Sequence, residues 1–337
     1  MLEPAPPARS RRAAHRRPAP GAAAAGRVTG AVDVHQHLWP EPLLAALARR
    51  RRPPLLRRRG SGGWTLRIAG EPDWPVDLAD HDVARRARLV EEDGLARALV
   101  ALSCPLGAEA LPGDEARELV DAWHAGADDL PAVLPAWAAA SLDEPDPTEL
   151  ARQLDRGRVG LCLPALALAG PEGAARCAPL LALLEERGLP LLVNPGPAPW
   201  APPPPAGPGD PPWWPALTSY VAQMQAAWLA FGAWVRPAHP RLRACFAMLA
   251  GLAPLHAGRL ASRGVALRAD DPGVFLDTSS YGPEAVAAVA AVAGAAALVH
   301  GSDRPVVAPV PAPAGALTDP ARVANPARLL SPLEVAA

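Results

Sequence analysis

The chain has 337 residues, half of them apolar, and a formal net charge of −1. This composition predicts one large domain or two small ones with a sizeable core, and the small charge gives no global attraction for nucleic acid or anionic membrane. No apolar run is long enough to span a bilayer, and no secretory signal opens the chain, so we expect a cytoplasmic protein. All 33 basic residues are arginine, which excludes Schiff-base, P-loop and carbamylated lysines from its chemistry.

Residues 1–28 are rich in Pro, Ala and Arg, and we expect a disordered extension before a domain over 29–337. From there, apolar runs alternate with amphipathic helical segments. The eight runs predicted as strands lie, in chain order, in GRVTGAVDVH, ARALVALS, PAVLPAWAAA, RVGLCLPA, LPLLVNPG, RLRACFAMLAG, GVFLDTSS and AALVHGSD. Nearly continuous apolar runs are typical of parallel strands buried on both faces. Eight β-α units favour an α/β fold of the (β/α)8 TIM barrel type over an open doubly wound sheet.

Two segments are longer than ordinary β-α connections. Residues 60–77, after the first strand, predict a small hairpin over the barrel mouth. Residues 199–234, after the fifth strand, contain a proline run and five of the ten tryptophans. A helix packed on the barrel, a lid and a homodimer contact all remain open for this segment. As a lid it would bring Trp213 and Trp214 to the mouth, with Trp39, and favour an apolar or ring-containing substrate.

A metal site is suggested by two histidines and one aspartate. His35 and His37 are one residue apart at the end of the first strand, so their side chains point to the same side. Active sites of TIM barrels lie at the C-terminal ends of the strands, where the last strand places Asp303 next to the first. Two imidazoles and a carboxylate suit one divalent ion, with zinc the expected one. The alternative is a hydrogen-bonded histidine pair, with Asp303 as a capping residue.

These motifs together resemble the amidohydrolase superfamily, in its amidohydrolase-related branch of mononuclear hydrolases and decarboxylases, over about residues 30–335. The matching stretches are VDVHQH, LLVNPGPAP, HPRLRACFAMLAGLAPLHAGRL, GSDRPV and NPARLL. The resemblance implies a TIM barrel in which His35, His37 and Asp303 hold one divalent ion, with Asp303 as general base.

Two positions depart from that family pattern. Asn194 stands where the strand 5 metal histidine is usual, and Met248 stands where the strand 6 histidine is usual. An asparagine can coordinate through its amide oxygen, but it should lower zinc affinity. A methionine cannot transfer a proton, so we expect His256 as a replacement donor. Arg304, beside the last motif, is a candidate for binding a substrate carboxylate.

The resemblance implies a hydrolase that attacks a C–O or C–N bond of a small carbonyl substrate with a metal-activated water. Three alternatives remain open. One is a decarboxylase of an aromatic or unsaturated acid, and another is a metal-free, lactonase-like hydrolase that uses Asp303 as base. The third is a degenerate, non-catalytic barrel that binds a small ligand or serves as a scaffold.

Overall fold

The structure is a computed structural model that describes residues 30–60, 62–205, 207, 209–307 and 317–331. The extension expected over 1–28 therefore lies outside the described residues. Within the described ranges, no helix is both long and apolar enough to cross a membrane. The four cysteines are buried and carry free thiols.

Parallel strands dominate the described part of the chain. The strands are β1 Val32–His37, β2 Leu55–Arg58, β3 Trp64–Arg67, β4 Trp74–Val76, β5 Arg97–Ala101, β6 Leu161–Pro164, β7 Leu191–Asn194, β8 Ala244–Phe246, β9 Val274–Asp277 and β10 Leu298–Val299. β1 pairs with β5 in parallel, and β6 to β10 form a parallel sheet in chain order. β2, β3 and β4 form a separate antiparallel sheet.

Helices follow most of the parallel strands. The α-helices are α1 Glu41–Arg49, α2 Val83–Glu92, α3 Gly113–Asp128, α4 Pro147–Asp155, α5 Pro171–Arg187, α6 Trp214–Leu217, α7 Ser219–Ala230, α8 Arg236–Ala238, α9 Ala257–Ala261, α10 Pro283–Ala293 and α11 Asn325–Leu330. Their ends follow from the sequence. The side chains of Asp82 and Asp146 accept backbone N–H bonds at the starts of α2 and α4, and Gly188 ends α5 in the left-handed region.

Shorter helical segments complete the connections. Turns of 3-10 helix occupy Leu78–His81, Cys104–Leu106, Ala165–Ala167, Met248–His256 and Ala295–Ala297, and π-helical turns occupy Phe231–Val235 and Pro320–Ala324. The segment that follows β8 is unusual because Met248, Leu249, Ala250 and Leu252 all have positive φ. Such a run is costly for residues with side chains, so tertiary contacts must hold it.

The prediction of a regular third strand in PAVLPAWAAA is wrong. Only isolated parallel bridges remain there: Ala136 pairs with Val100 of β5, and Ala138 pairs with Leu161 of β6. Pro131 and Pro135 lack the N–H that a strand would donate, and a turn bond from Leu134 N to Pro131 O interrupts the extended chain. The bridges nevertheless join the two parallel sheets.

The two ends of the strand series are also joined by hydrogen bonds. Val34 N donates to His300 O at 2.9 Å, and Asp303 N donates to His35 O at 2.9 Å. Gln36 and Arg304 form a further parallel bridge. The chain after β10 therefore runs beside β1, and it brings the C-terminal ends of the first and last strands together.

The two long connections both contribute to the region above these strand ends. The hairpin predicted over 60–77 is instead a three-stranded sheet that begins at Leu55, because the apolar pair Leu55–Leu56 pairs with β3. Within 199–234, Trp228 and Phe231 are buried in the core. Trp213 and Trp214, by contrast, are 52% and 42% exposed. The segment thus packs on the core through its C-terminal half and through Trp200 and Ala201 at its start, and exposes the pair between them.

Candidate metal centre

The four predicted metal ligands converge at the C-terminal ends of their strands. β1 carries His35 and His37 on one side, β7 ends on Asn194, and Asp303 follows β10. The Nε2 atoms of the two histidines are 3.1 Å apart, and Oδ1 of Asp303 lies 3.1 Å from Nε2 of His37 and 3.8 Å from that of His35. The Asn194 amide nitrogen lies 3.2 Å from Nε2 of His37. One ligand atom each from His35, His37 and Asp303 fits within 4.8 Å.

Hydrogen bonds fix the tautomers of both histidines. Nδ1 of His35 lies 2.7 Å from Oδ2 of Asp277, and Nδ1 of His37 lies 3.2 Å from the carbonyl oxygen of Ala101. Because both partners can only accept, both Nδ1 atoms carry the proton. The two Nε2 atoms then face each other and the Asp303 carboxylate. Two Nε2 atoms and a carboxylate that converge in a buried site need a proton or a metal cation between them, and this donor set fits a divalent ion.

The local field also favours positive charge. Burial alone would lower the pKa of His35, but the carboxylates of Asp277 and Asp303 outweigh burial and raise it to about 9. Burial would raise the pKa of Asp277, but His35 and Ser279 hold it below its ordinary value. When no metal ion is bound, His35 is therefore charged and carries a proton on Nε2 as well. The same field would attract a cation in place of that proton.

Sequence reasoning missed Asp277, the residue that orients His35. It ends β9, and its Oδ1 accepts hydrogen bonds from the backbone N–H groups of Met248 and Ser279. A single aspartate before Thr-Ser-Ser looks like a turn residue. Its position at the C-terminal end of a predicted barrel strand was the available signal.

A second missed aspartate, Asp33, joins β1 to the chain after β10. Its carboxylate accepts from the backbone N–H groups of His35 and Ser302 and from the side-chain amide of Gln36. Asp303 itself has a φ of 55°, in the left-handed region that is unfavourable for a residue with a side chain. The bonds around Asp33 hold the backbone that imposes this conformation.

A cavity of about 420 Å³ opens above the ligand cluster. His37, Asn194 and Asp303 form part of its lining. The remaining walls are mostly aromatic and apolar, with acidic groups among them. The aromatic and acidic lining residues are Trp39, Trp74, Trp213, Tyr220, Glu71, Asp77 and Asp80. The antiparallel sheet and the 199–234 segment both supply lining residues, so each lies against the cavity.

The structure separates the predicted substrate-binding residues into two groups. Trp39 and Trp213 line the cavity. Met248, which stands at the usual position of the strand 6 histidine, lines it as well. Trp214 does not, although its ring lies 5.7 Å from that of Trp213. Arg304 is turned away from the cavity and pairs with Asp93 at 3.0 Å.

His256, the expected proton donor, is also not among the lining residues. It ends the helical turn Met248–His256, which carries the chain away from the strand end. The described cavity therefore offers neither His256 nor Arg304 to a substrate. Its lining does include His81, which sequence reasoning did not single out.

No protein-family model and no curated protein sequence matches the chain. Solved structures match its fold. IDCase from Metarhizium anisopliae, in its apo form, is 16% identical, with a TM-score of 0.67 over 89% of this chain and 96% of that one. A structure named amidohydrolase II is 16% identical, with a TM-score of 0.66 over 89% and 99% of the two chains.

A third match is 5-carboxyvanillate decarboxylase from Novosphingobium aromaticivorans, in complex with manganese and 4-hydroxy-3-methoxy-5-nitrobenzoic acid. It is 14% identical, with a TM-score of 0.59 over 83% of this chain and 87% of that one. The structural neighbours are thus enzymes of the amidohydrolase type, in agreement with the resemblance found in the sequence. The chain has the fold of amidohydrolase-superfamily enzymes.

Proposed function

We propose that the protein is a metal-dependent hydrolase of small, neutral carbonyl substrates. The observation that carries the proposal is the convergence of two Nε2 atoms, from rings fixed through their Nδ1 atoms, and a carboxylate at the base of a cavity. We further propose that the parallel strands form a closed eight-stranded barrel, with residues 136–138 as the third strand. The bridges at both ends of that strand and the bonds between β1 and the chain after β10 support this closure.

The ligand set supports the following roles at the base of the cavity. His35, His37 and Asp303 would hold one divalent ion, with the Asn194 amide oxygen available as a fourth donor after rotation of the amide. Such an ion polarises a carbonyl group and makes water more acidic. Asp303 lines the cavity and also faces the histidines, so it is placed to accept the proton of an attacking water. Asp277 keeps the His35 lone pair directed at the cluster.

The choice of ion is open between zinc and manganese. Zinc is expected from two imidazoles and a carboxylate, and a neutral amide in place of a third imidazole makes the donor set more oxygen-rich. The manganese bound to the Novosphingobium aromaticivorans enzyme supports this second ion.

The cavity lining favours a neutral substrate over an acid. Four carboxylates, from Glu71, Asp77, Asp80 and Asp303, line the cavity, and no arginine is among its described lining residues. A substrate carboxylate would meet repulsion without a compensating side-chain cation. The aromatic walls offer stacking surfaces for a ring. A neutral, ring-containing ester, lactone or amide fits these features.

Decarboxylation of an aromatic acid is the second candidate. The match to the 5-carboxyvanillate decarboxylase favours it, as does the aromatic wall. In this case the bound ion alone would have to hold the substrate carboxylate, because Arg304 pairs with Asp93 instead. Metal-free hydrolysis with Asp303 as base is the third candidate.

One assay separates these candidates. The protein is stripped with a chelator and reloaded with Zn²⁺ or Mn²⁺, and dihydrocoumarin, a neutral aromatic lactone, and salicylate, an aromatic acid, are offered separately. We expect metal-dependent opening of the lactone, and loss of that activity in Asp303→Asn. Release of CO₂ from salicylate without lactone opening would favour decarboxylation. Lactone opening that survives the chelator would favour the metal-free route. If neither compound is converted, the result would favour a non-catalytic protein.

A further inference from the structure

His81 occupies a rigid position at the cavity wall. It is the last residue of the 3-10 turn Leu78–His81, which is capped by Asp77, and Asp82 caps the helix that follows directly. Only 6% of the residue is exposed, and it lines the same cavity as the ligand cluster. Its backbone is therefore held from both sides by capped helices.

The ring of His81 is fixed in orientation and in tautomer. The backbone N–H of Trp39 donates to Nδ1 of His81 at 3.1 Å, and the imidazole stacks on the Trp39 indole at 4.2 Å with 12° between the planes. The indole N–H in turn donates to Oγ of Ser103 at 3.0 Å. Because Nδ1 accepts a hydrogen bond, it carries no proton, and the proton must be on Nε2.

The surroundings of His81 keep its ring neutral. Burial, the Arg86 guanidinium and His37 lower its pKa to about 3, and the opposing effect of Asp77 is smaller. Nε2 of His81 has no hydrogen-bond partner among the described residues, although the ring borders the cavity. The rigid ring thus holds a neutral N–H donor, which has no partner among the described residues, at the edge of the cavity.

We infer that the Nε2–H of His81 donates a hydrogen bond to the substrate oxygen that gains negative charge during reaction, so that the site selects substrates with a carbonyl group. The inference rests on the hydrolase function proposed above. A fixed donor aimed at developing charge accelerates acyl transfer because it needs no reorganisation as the charge develops. A neutral imidazole suits a site that also holds a divalent ion, because a second cation would be repelled. No proton is transferred from His81.

Two substitutions divide the functions of the ring. His81→Asn places an amide oxygen near the position of Nδ1, which preserves an acceptor for the Trp39 N–H but leaves no group at Nε2. His81→Gln reaches the Nε2 position with an N–H donor but loses that acceptor. We expect Asn to lower kcat by roughly 100-fold, as for other single oxyanion donors, with unchanged KM and metal affinity. Its Tm should fall slightly, because the ring that stacks on Trp39 is lost. We expect His81→Gln to retain a larger part of the wild-type kcat than His81→Asn but to have a lower Tm.

A buried histidine outside the cavity serves as the matched control. Nε2 of His124 accepts the backbone N–H of Ala139 at 3.2 Å, and His124→Gln should leave kcat unchanged. The substrates are phenyl acetate and 4-nitrophenyl acetate, which share a carbonyl but differ in leaving group. Equal losses for the two esters in His81→Asn support a role at the carbonyl oxygen. A larger loss for phenyl acetate would indicate proton donation to the leaving group and overturn the inference, as would an unchanged kcat.

A nuclear magnetic resonance measurement keeps the test independent of activity. If the metal-loaded wild type hydrolyses neither ester, the proposed hydrolysis fails for these esters. The role of His81 as a hydrogen-bond donor can then still be tested. With ¹⁵N-labelled histidine, we expect His81 to show the Nε2–H tautomer from pH 5 to 9, and saturating benzamide to shift this signal. A ring that titrates near its ordinary pKa, or a signal that benzamide leaves unmoved, would contradict the inference.

Discussion

Nδ1 of His35 lies 2.7 Å from Oδ2 of Asp277, and both residues are fully buried. The bond joins β1 to β9 across the interior of the parallel strands. It leaves Nε2 of His35 as the ring nitrogen available to an ion, and this atom faces His37 and Asp303. The carboxylate thereby acts on the candidate metal centre without touching the ion.

Removing this carboxylate should weaken metal binding. We expect Asp277→Asn to lower the affinity for Zn²⁺ by about 10- to 100-fold, the usual effect of losing a residue that supports a metal ligand. Competition with a chromogenic chelator measures the change. Asp270→Asn is the control, because Asp270 forms an exposed pair with Arg268 away from the cavity. Equal affinities in Asp277→Asn and wild type would show that His35 does not need this partner.

A histidine at position 194 should have the opposite effect. The Asn194 amide lies 3.2 Å from Nε2 of His37, so an imidazole there can reach the cluster. We expect Asn194→His to tighten zinc binding by about 10-fold or more, since an imidazole replaces a weak amide donor. The same chelator competition reports the result. Unchanged affinity would mean that this side chain does not face the ion.

The sequence was informative where the pattern repeats or where paired residues share a strand. Seven of the eight predicted strands contain regular β structure, because continuous apolar runs report burial on both faces. His35 and His37 were found from their two-residue spacing. Asp277 was missed because one aspartate at a strand end carries no spacing signal of its own. His81 was missed because its role depends on the backbone N–H of Trp39, which no local pattern reveals.

We expect only one of the two exposed tryptophans to contribute to substrate binding. Trp213 lines the cavity and Trp214 does not, although about half of each residue is exposed. We expect Trp213→Ala to raise KM for dihydrocoumarin roughly 3- to 10-fold, as one aromatic contact is lost. Trp214→Ala is the matched control and should leave KM unchanged. A fall of several degrees in Tm with a constant KM for Trp213→Ala would instead assign this residue to the core or to a dimer contact.

Acid should destabilise the metal-free protein through His124. Burial and the Arg158 guanidinium lower its pKa to about 3, whereas the unfolded chain has the ordinary value near 6.5. The unfolded state therefore binds a proton that the folded state rejects, and stability is lost as pH falls from 6.5 towards 3. We expect this residue to account for a loss of about 2 kcal/mol in unfolding free energy at pH 5.

Urea unfolding at pH 7 and pH 5 tests this expectation. The difference between the two pH values should be smaller in His124→Gln, because glutamine can accept the Ala139 N–H but cannot titrate. Both proteins are kept free of metal so that ligand protonation at the candidate centre affects them equally. A pH dependence that is identical in the two proteins would show that His124 accepts a proton in the folded state.

The central claim is that His35, His37 and Asp303 hold one divalent ion. Calorimetric titration of chelator-stripped protein with Zn²⁺, and separately with Mn²⁺, tests it most directly. We predict saturation at one ion per chain. In His37→Gln, the metal affinity should fall by more than about 100-fold, the upper value expected for losing a residue that only supports a ligand. Absence of a saturable site for both ions, or an affinity that is the same in His37→Gln and wild type, would contradict the account.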